Sequence, residues 1–419
     1  MANLLYLVHR LPYPPNKGDK VRSYHLLKHL AARHRVFLGS FVDDPQDEAY
    51  VDTVRTLCAE VCIERLQPQR AKLASLAALA TGAPLTLYYY RARALRRWVR
   101  EVVQREAIDG VVVFSSSMAQ YAEGLGLPVF VDFVDVDSAK WTEYAPRKPW
   151  PLSWLYRREG QQLLAYERSV AAKAQRSFFV TGHEVELFRS LAPECAARVE
   201  VSCNGVDADS FSPDPARPTP FAAGELPIVF TGAMDYFPNE DAVAWFAAEV
   251  LPRLATTWPR ARLYIVGRNP SPSLRALASP SVVVTGAVPD VRPYLQHAAV
   301  VVAPLRIARG IQNKVLEGMA MARAVVASSA CAQQLDAVPG IELLIADGAD
   351  GADLAQAFAA QVDALLRDRP RAESVGRAAR ARVLASYSWA AHLRGLERCL
   401  STLPGTPPAS ADAVCGVTP

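Results

Sequence analysis

Short runs of β-branched and aromatic residues alternate with helical patterns along nearly the whole chain, and one proline-dense stretch interrupts that rhythm near the middle. Continuous apolar runs of this kind suit strands buried on both faces, which is the condition of parallel strands covered by helices. In the first part, strands are expected at 4–8, 36–42, 61–66, 111–115, 129–134, 177–181 and 200–203, with helices at 20–34, 47–58, 93–106, 153–174 and 183–192. In the second part, strands are expected at 228–231, 263–266, 282–285, 300–304, 324–327 and 343–346, with helices at 240–257, 291–298, 313–321 and 352–367. The interruption carries Pro213, Pro215, Pro218, Pro220 and Pro227, a density that breaks helices and ladders alike and reads as a stiff linker.

The expected organisation is therefore α/β throughout. Residues 1–207 form one Rossmann-like domain, 208–226 the linker and 227–387 a second Rossmann-like domain. A final helix at 388–402 belongs with the first domain, and the Pro/Gly/Ser/Thr/Ala-rich tail 403–419 lacks the apolar residues to order itself. A length of 419 residues accommodates this plan, and 51% hydrophobic residues supply two cores. A net charge of +4 argues against a nucleic-acid partner. The seven cysteines are scattered, with no second close Cys/His pair to complete a zinc set beside Cys58 and Cys62, and they read as reduced thiols. The N-terminal apolar run lacks a signal peptide's length and basic start, so it reads as a buried strand in a cytoplasmic protein. The stretch 73–90 has a spanning length but too low an apolar density for a membrane helix.

Parallel open sheets bind ligands at the carboxyl ends of their strands, so the strand-to-helix loops hold the candidate chemistry. No G-x-G-x-x-G follows the first strand of either half, which disfavours a dinucleotide-binding dehydrogenase. The first loop runs from His9 and Arg10 to Lys17, Gly18, Asp19 and Lys20; Lys17, Gly18 and Lys20 form an anion-side candidate at a helix start. After the first strand of the second half, Gly232 lets a ligand approach the backbone, Asn239 suits an N-cap, and Glu240 and Asp241 repel phosphate from that helix. The strongest anion candidate is 300–320: a buried strand ends at Pro304, Arg306, Arg309 and Gly310 occupy the loop, and a helix opens near Gln312, Asn313 and Lys314. Cations converging on helix-start N–H groups suit a diphosphate, while Glu317, three residues after Lys314, suits sugar hydroxyls. The plain alternative for Lys314 and Glu317 is a surface ion pair.

Two α/β halves, a returning last helix and P-L-R-x-x-x-G-x-x-x-K-x-x-E before a small-residue helix resemble the retaining glycosyltransferases of family 4, with the GT-B fold. Asn204-Gly205-Val206-Asp207, Gly232 with Met234, Pro238-Asn239, Val266-Gly267-Arg268-Asn269-Pro270 and Gly286 with Val288 extend the likeness. Together with Asp135, Asp137, Ser138, Lys140 and Trp141 they are similar to the sugar transferases of exosortase (PEP-CTERM) exopolysaccharide loci. The resemblance implies two domains facing across a cleft, a nucleotide-diphosphate-sugar donor on the second, and transfer of hexosyltransferase type without an essential metal or cofactor. It places the ribose at Glu317 and the base near Val288. The family's first glutamate falls on Arg309, its usual diphosphate cations after Gly232 are replaced by Asp235 and Tyr236, and its histidine falls near Val134. Arg268, Arg306 and Lys314 are the expected substitutes for the cations, and Asp135 for the histidine.

Asp135-x-Asp137 is read as a helix cap at Asp137 or Ser138 rather than a metal-binding D-x-D. Two basic stretches bear on a membrane surface. In 91–105, arginines flank a helical apolar face of Leu95, Trp98, Val99, Val102 and Val103, which either lies on lipid or packs on the sheet; 141–158 mixes Trp, Tyr and cations as interfacial anchors do. The expectation is an enzyme at the inner face of the plasma membrane, taking a lipid-linked or oligosaccharide acceptor. The competing readings are a nucleotide-sugar epimerase of the same fold and a non-catalytic nucleotide-sugar-binding protein.

Overall fold

The computed structural model describes residues 1–15, 18–306, 308, 311–333, 335–348 and 351–404. The chain divides into two compact units. Met1–Asn204 and the described residues from His392 onward form the first, and Gly205–Ala391 the second.

In the first unit the strands are β1 (Asn3–Val8), β2 (Arg35–Val42), β3 (Glu60–Arg65), β4 (Gly110–Phe114), β5 (Val129–Val134), β6 (Arg176–Phe179) and β7 (Val199–Val201). They form one parallel sheet in the order β3-β2-β1-β4-β5-β6-β7. In the second unit β8 (Leu226–Thr231), β9 (Ala261–Val266), β10 (Val282–Gly286), β11 (Val300–Ala303), β12 (Val325–Ser328) and β13 (Leu344–Ala346) form a parallel sheet in the order β10-β9-β8-β11-β12-β13. Each order reverses once, between β1 and β4 and between β8 and β11. At such a switch point the two flanking loops diverge and leave a crevice beyond the strand ends.

The principal helices of the first unit are α1 (Gly18–Ala31), α2 (Pro68–Ser75), α3 (Ala78–Thr81), α4 (Leu85–Tyr89), α5 (Arg93–Arg105), α6 (Asp137–Tyr144) and α7 (Leu152–Lys173). On the second unit, α8 (Phe237–Trp245) follows β8 and α9 (Asn313–Ala320) follows β11; α10 (Arg394–Leu400) packs with the first unit. The α2–α4 run and α6 escape a periodicity reading because they are short and Ala-rich or polar. The proline-dense segment is an ordered strap on the second unit: the Gln296 amide accepts from Asp214 N at 3.0 Å and donates to Asp214 O at 2.7 Å, and Phe221 meets Tyr264 edge-on.

On α5, Leu95, Val99 and Val102 are buried in the core. Of the two readings of 91–105, the packed one describes its apolar face, which lies in the core of the first unit, while Arg97, Arg100, Glu101, Gln104 and Arg105 face water. The cap expected from Asp137 or Ser138 is corrected. Ser138 lies inside the first turn of α6, and Glu167 of α7 accepts from its Oγ at 2.5 Å and its N–H at 3.3 Å. Burial pushes the Glu167 carboxyl up to about 8. Two turns earlier on α7, the buried Glu159 accepts from Leu85 N (2.6 Å), Thr86 N (2.9 Å) and Thr86 Oγ1 (2.7 Å), closing the N-terminus of α4. One helix thus holds the open ends of two others through carboxylates, which suits the positive end of a helix dipole.

Glu159→Ala leaves buried donors of α4 without acceptors, so it should cost about 3 kcal/mol. Hydrogen exchange on the whole chain should show faster exchange at 85–90 and a lower melting temperature; unchanged protection there would refute the capping role.

Candidate functional site

At the switch point of the second sheet, β8 ends in Thr231 and Gly232, while β11 leads through 304–312 into α9. Lys314, in the first turn of α9, reaches back toward β8. Its Nζ lies 5.4 Å from the Phe230 ring centroid and 3.4 Å from Gln312 Oε1. A Cβ on Gly232 would stand 3.4 Å from Lys314 Cε and 2.8 Å from Asn239 Nδ2. The glycine N–H already donates to Val266 O, so the residue supplies room for the lysine stem rather than a hydrogen bond to a ligand. Gly267 is tighter still, since its Cβ would fall 1.7 Å from Gly232 O; only glycine lets the β9 loop close on the β8 loop.

Burial holds the Lys314 ammonium below its ordinary pKa, and among the described residues no carboxylate lies within 4 Å of it. The carboxyl of Glu317, one turn further on, has no hydrogen-bond partner among the described residues, and burial pushes it up to about 7, with Lys314 opposing the rise. Next to Gly232, Thr231 Oγ1 and Asn239 Oδ1 are buried without hydrogen-bond partners among the described residues. A cation lacking a counter-charge, a costly carboxyl and two unpaired polar atoms together suit a ligand that brings an anion and hydroxyl groups.

The other donor-side expectations divide. Arg268 is exposed with no ion pair among the described residues, and its carbonyl accepts from Met234 N, fixing the β8 loop. Val288 packs at the edge of the core, Gln312 occupies the N-cap position of α9, and Asn313 is exposed. Arg306 corrects the cation cluster: its Nε donates to Asp241 Oδ2 at 3.0 Å, an ion pair with α8. The pair sets a cation against the Asp241 carboxylate that was expected to repel phosphate, so Arg306, unlike Lys314, already has a carboxylate partner. Asn239 is likewise no N-cap. Tyr236 takes that position, and the buried Asn239 amide donates to Ala233 O at 2.8 Å. Arg309 and Gly310 lie outside the described residues, as does Lys17.

On the first unit, Lys20 also departs from its expected role. Its buried Nζ sits 2.5 Å from Asp47 Oδ2, so it is an internal ion pair and not an anion contact. Gly18 opens α1. Asp135 is held at 2.7 Å by Lys140 Nζ, which also reaches Asp137 at 3.2 Å. Asp137, not Asp135, lines the cavity of about 430 Å³ at this sheet's switch point, together with His9, Arg10, Ser115, Thr86 and Trp141. Burial raises the Asp137 pKa, with Lys140 opposing.

The residues that sequence reasoning left without a role are His9 and Arg10, although their place directly after β1 was a usable signal. The His9 ring stacks on Phe114 and meets Tyr90 edge-on, with Nε2 3.6 Å from Asp19 Oδ2 and a buried Nδ1 that has no partner among the described residues. Arg10 joins Asp19 at 3.0 Å to Asp43 at 2.8 Å. His9 first, then Arg10, hold the Asp19 carboxyl well below the usual carboxylate range. Ser115, just after β4, and Val134, the last residue of β5, have φ of 74° and 69°, a left-handed conformation that costs a β-branched residue most. Among the described residues no cluster of three His, Cys, Asp or Glu could hold a metal ion.

Residues 225–368 match the family model for "Glycosyl transferases group 1". Over 96% of this chain, the fold matches all of the Anabaena HepE chain solved with UDP (TM-score 0.59, 14% identity) and with UDP-glucose (0.58, 15%). It also matches 98% of a glycosyltransferase from Rickettsia africae (0.59, 14% identity, 96% of this chain). WaaG, a glycosyltransferase involved in lipopolysaccharide biosynthesis, is matched in full (0.53, 16% identity, 96% of this chain). No curated protein sequence matches. The two parallel-sheet units are thus the GT-B fold, and the Lys314–Glu317 site lies within the segment that carries the family pattern.

A carboxyl raised in the folded chain resists ionising there. The resulting penalty is absent below the unfolded value of 4.5, grows with pH, and is complete above about 7. Glu317→Gln should therefore raise the melting temperature near pH 8 and leave it nearly unchanged near pH 4; an equal shift at both would show that Glu317 is not strained by burial.

Proposed function

We propose that the chain is a retaining glycosyltransferase that moves a hexose from a nucleoside-diphosphate donor to a lipid-linked saccharide during bacterial exopolysaccharide synthesis. The observation that carries this reading is the half-buried Lys314 ammonium, free of any carboxylate partner among the described residues, beside Gly232 at the switch point of the second sheet.

In this reading the donor diphosphate takes the place of the missing counter-anion. As the bond from the sugar's anomeric carbon to the diphosphate breaks, negative charge gathers on the departing oxygens. Lys314, with Arg268 at the mouth, is already oriented to meet it, and no resident metal is assigned to that task. Such preorganised charge is worth several kcal/mol because little reorganisation remains at the moment of reaction. Glu317 accepts hydrogen bonds from the ribose hydroxyls, and the base lies toward Val288. The Anabaena HepE complexes with UDP and UDP-glucose make a uridine donor the first to try. The acceptor belongs to the first unit, in the cavity lined by His9, Arg10 and Asp137, where aromatic walls and hydrogen-bonding groups suit a saccharide. Asp137 and His9 there replace the expected assignment of Asp135.

A panel of nucleotide sugars, read by nucleoside-diphosphate release with and without a bacterial lipid-linked saccharide extract, tests this. One donor should give acceptor-dependent release, and Lys314→Ala should lower it about 100-fold with an unchanged circular dichroism spectrum. Conversion of the donor without acceptor would identify an epimerase instead, and donor binding without release a non-catalytic binder.

A further inference from the structure

Several of the large apolar side chains that the fold leaves in water gather in two stretches of the first unit: Leu73, Leu76 and Leu79, then Trp150, Leu152 and Trp154. Leu73 is 71% exposed and Trp150 82%. Across α2 and α3 the usual amphipathic order is inverted. Ser75 and Ala78 face inward and are buried, while the leucines recur every third residue on the outside. The two stretches are neighbours. Arg158 of α7 donates to the carbonyls of Ala78 (3.1 Å) and Ala83 (3.2 Å), and the cavity of the first unit takes Lys72 and Ser75 from one side and Trp141 from the other. Contiguous exposed apolar surface of this kind marks an interaction face.

Charge decides what occupies it. The sequence holds no Asp or Glu from 65 through 100, and none between Glu143 and Glu159. Arg70, Lys72, Lys148 and Arg157 are exposed within these acid-free stretches. Tryptophan belongs at the headgroup boundary, leucine just beneath it, and lysine and arginine on lipid phosphates. No helix among the described residues is long and apolar enough to cross a membrane, so the face suits adsorption and not insertion across it.

We propose that α2, α3 and the 150–154 elbow dock the first unit onto an anionic bilayer. The docking is independent of the transfer reaction. Its use, which does rest on the proposed function, is to hold the mouth of the acceptor cavity at the lipid boundary where a lipid-linked saccharide presents its sugar.

The test is co-sedimentation of the whole chain with phosphatidylcholine vesicles, with or without phosphatidylglycerol, for the native protein and for Leu73→Glu/Leu76→Glu and Trp150→Ser/Trp154→Ser. The native protein should partition onto the phosphatidylglycerol vesicles and far less onto phosphatidylcholine alone. Each double variant should lose about tenfold of that partitioning with its melting temperature and its affinity for soluble UDP unchanged. Native protein that stays in the supernatant with both vesicles, or variants that sediment as it does, would overturn the proposal. So would a native dimer, by light scattering, that the variants dissolve without any vesicle binding, since the face would then join two copies. Vesicle binding without donor turnover would leave docking standing and remove the transferase reading; turnover without vesicle binding would do the reverse.

Discussion

A single ammonium group in an awkward place organises the second unit's chemistry. Lys314 is drawn out of water at the junction of β8 and β11, where burial lowers its pKa, Phe230 offers only the face of a ring, and Glu317 stands further off with a carboxyl itself pushed up to about 7. Neither group improves stability where it is. Folded chains keep such pairs where a ligand later completes them, and strongly shifted groups in a crevice point to function more often than to packing. The glycines at 232 and 267 make the arrangement possible, one by leaving room for the lysine stem and the other by letting two loops touch.

The first unit solves a different problem. Its cavity is walled by short helices that could not hold themselves, so α7 holds them through Glu159, Glu167 and Arg158. Those buried groups act on helix ends and not on substrate. The polar centre of the cavity is the His9–Asp19–Arg10–Asp43 chain at the end of β1. Both units thus place their candidate chemistry at the reversal of strand order, which is a consequence of topology before it is a property of any residue.

The strands were legible because parallel strands buried on both faces must be apolar along their whole length, and runs such as 111–115 and 300–304 show it directly. Lys314, Glu317 and Gly232 were legible because a helix start, its first-turn spacing and a glycine after a strand are local signals. What sequence could not show is which partner a charge finds. Arg306 is taken by Asp241, 65 residues away, and Lys20 by Asp47, 27 away. Only the folded chain brings those pairs together, and each removes a cation from the expected anion sites. The outward leucines of α2 and α3 were hidden for the opposite reason: their spacing is that of a packed helix, and only the structure shows which face is inside.

The most direct measurement is a crystal structure of the whole chain soaked with UDP. The diphosphate is expected within hydrogen-bonding distance of Lys314 Nζ, beside Gly232, with ribose hydroxyls on the Glu317 carboxylate. A nucleotide bound elsewhere, or a Lys314 side chain that ignores it, would contradict the account.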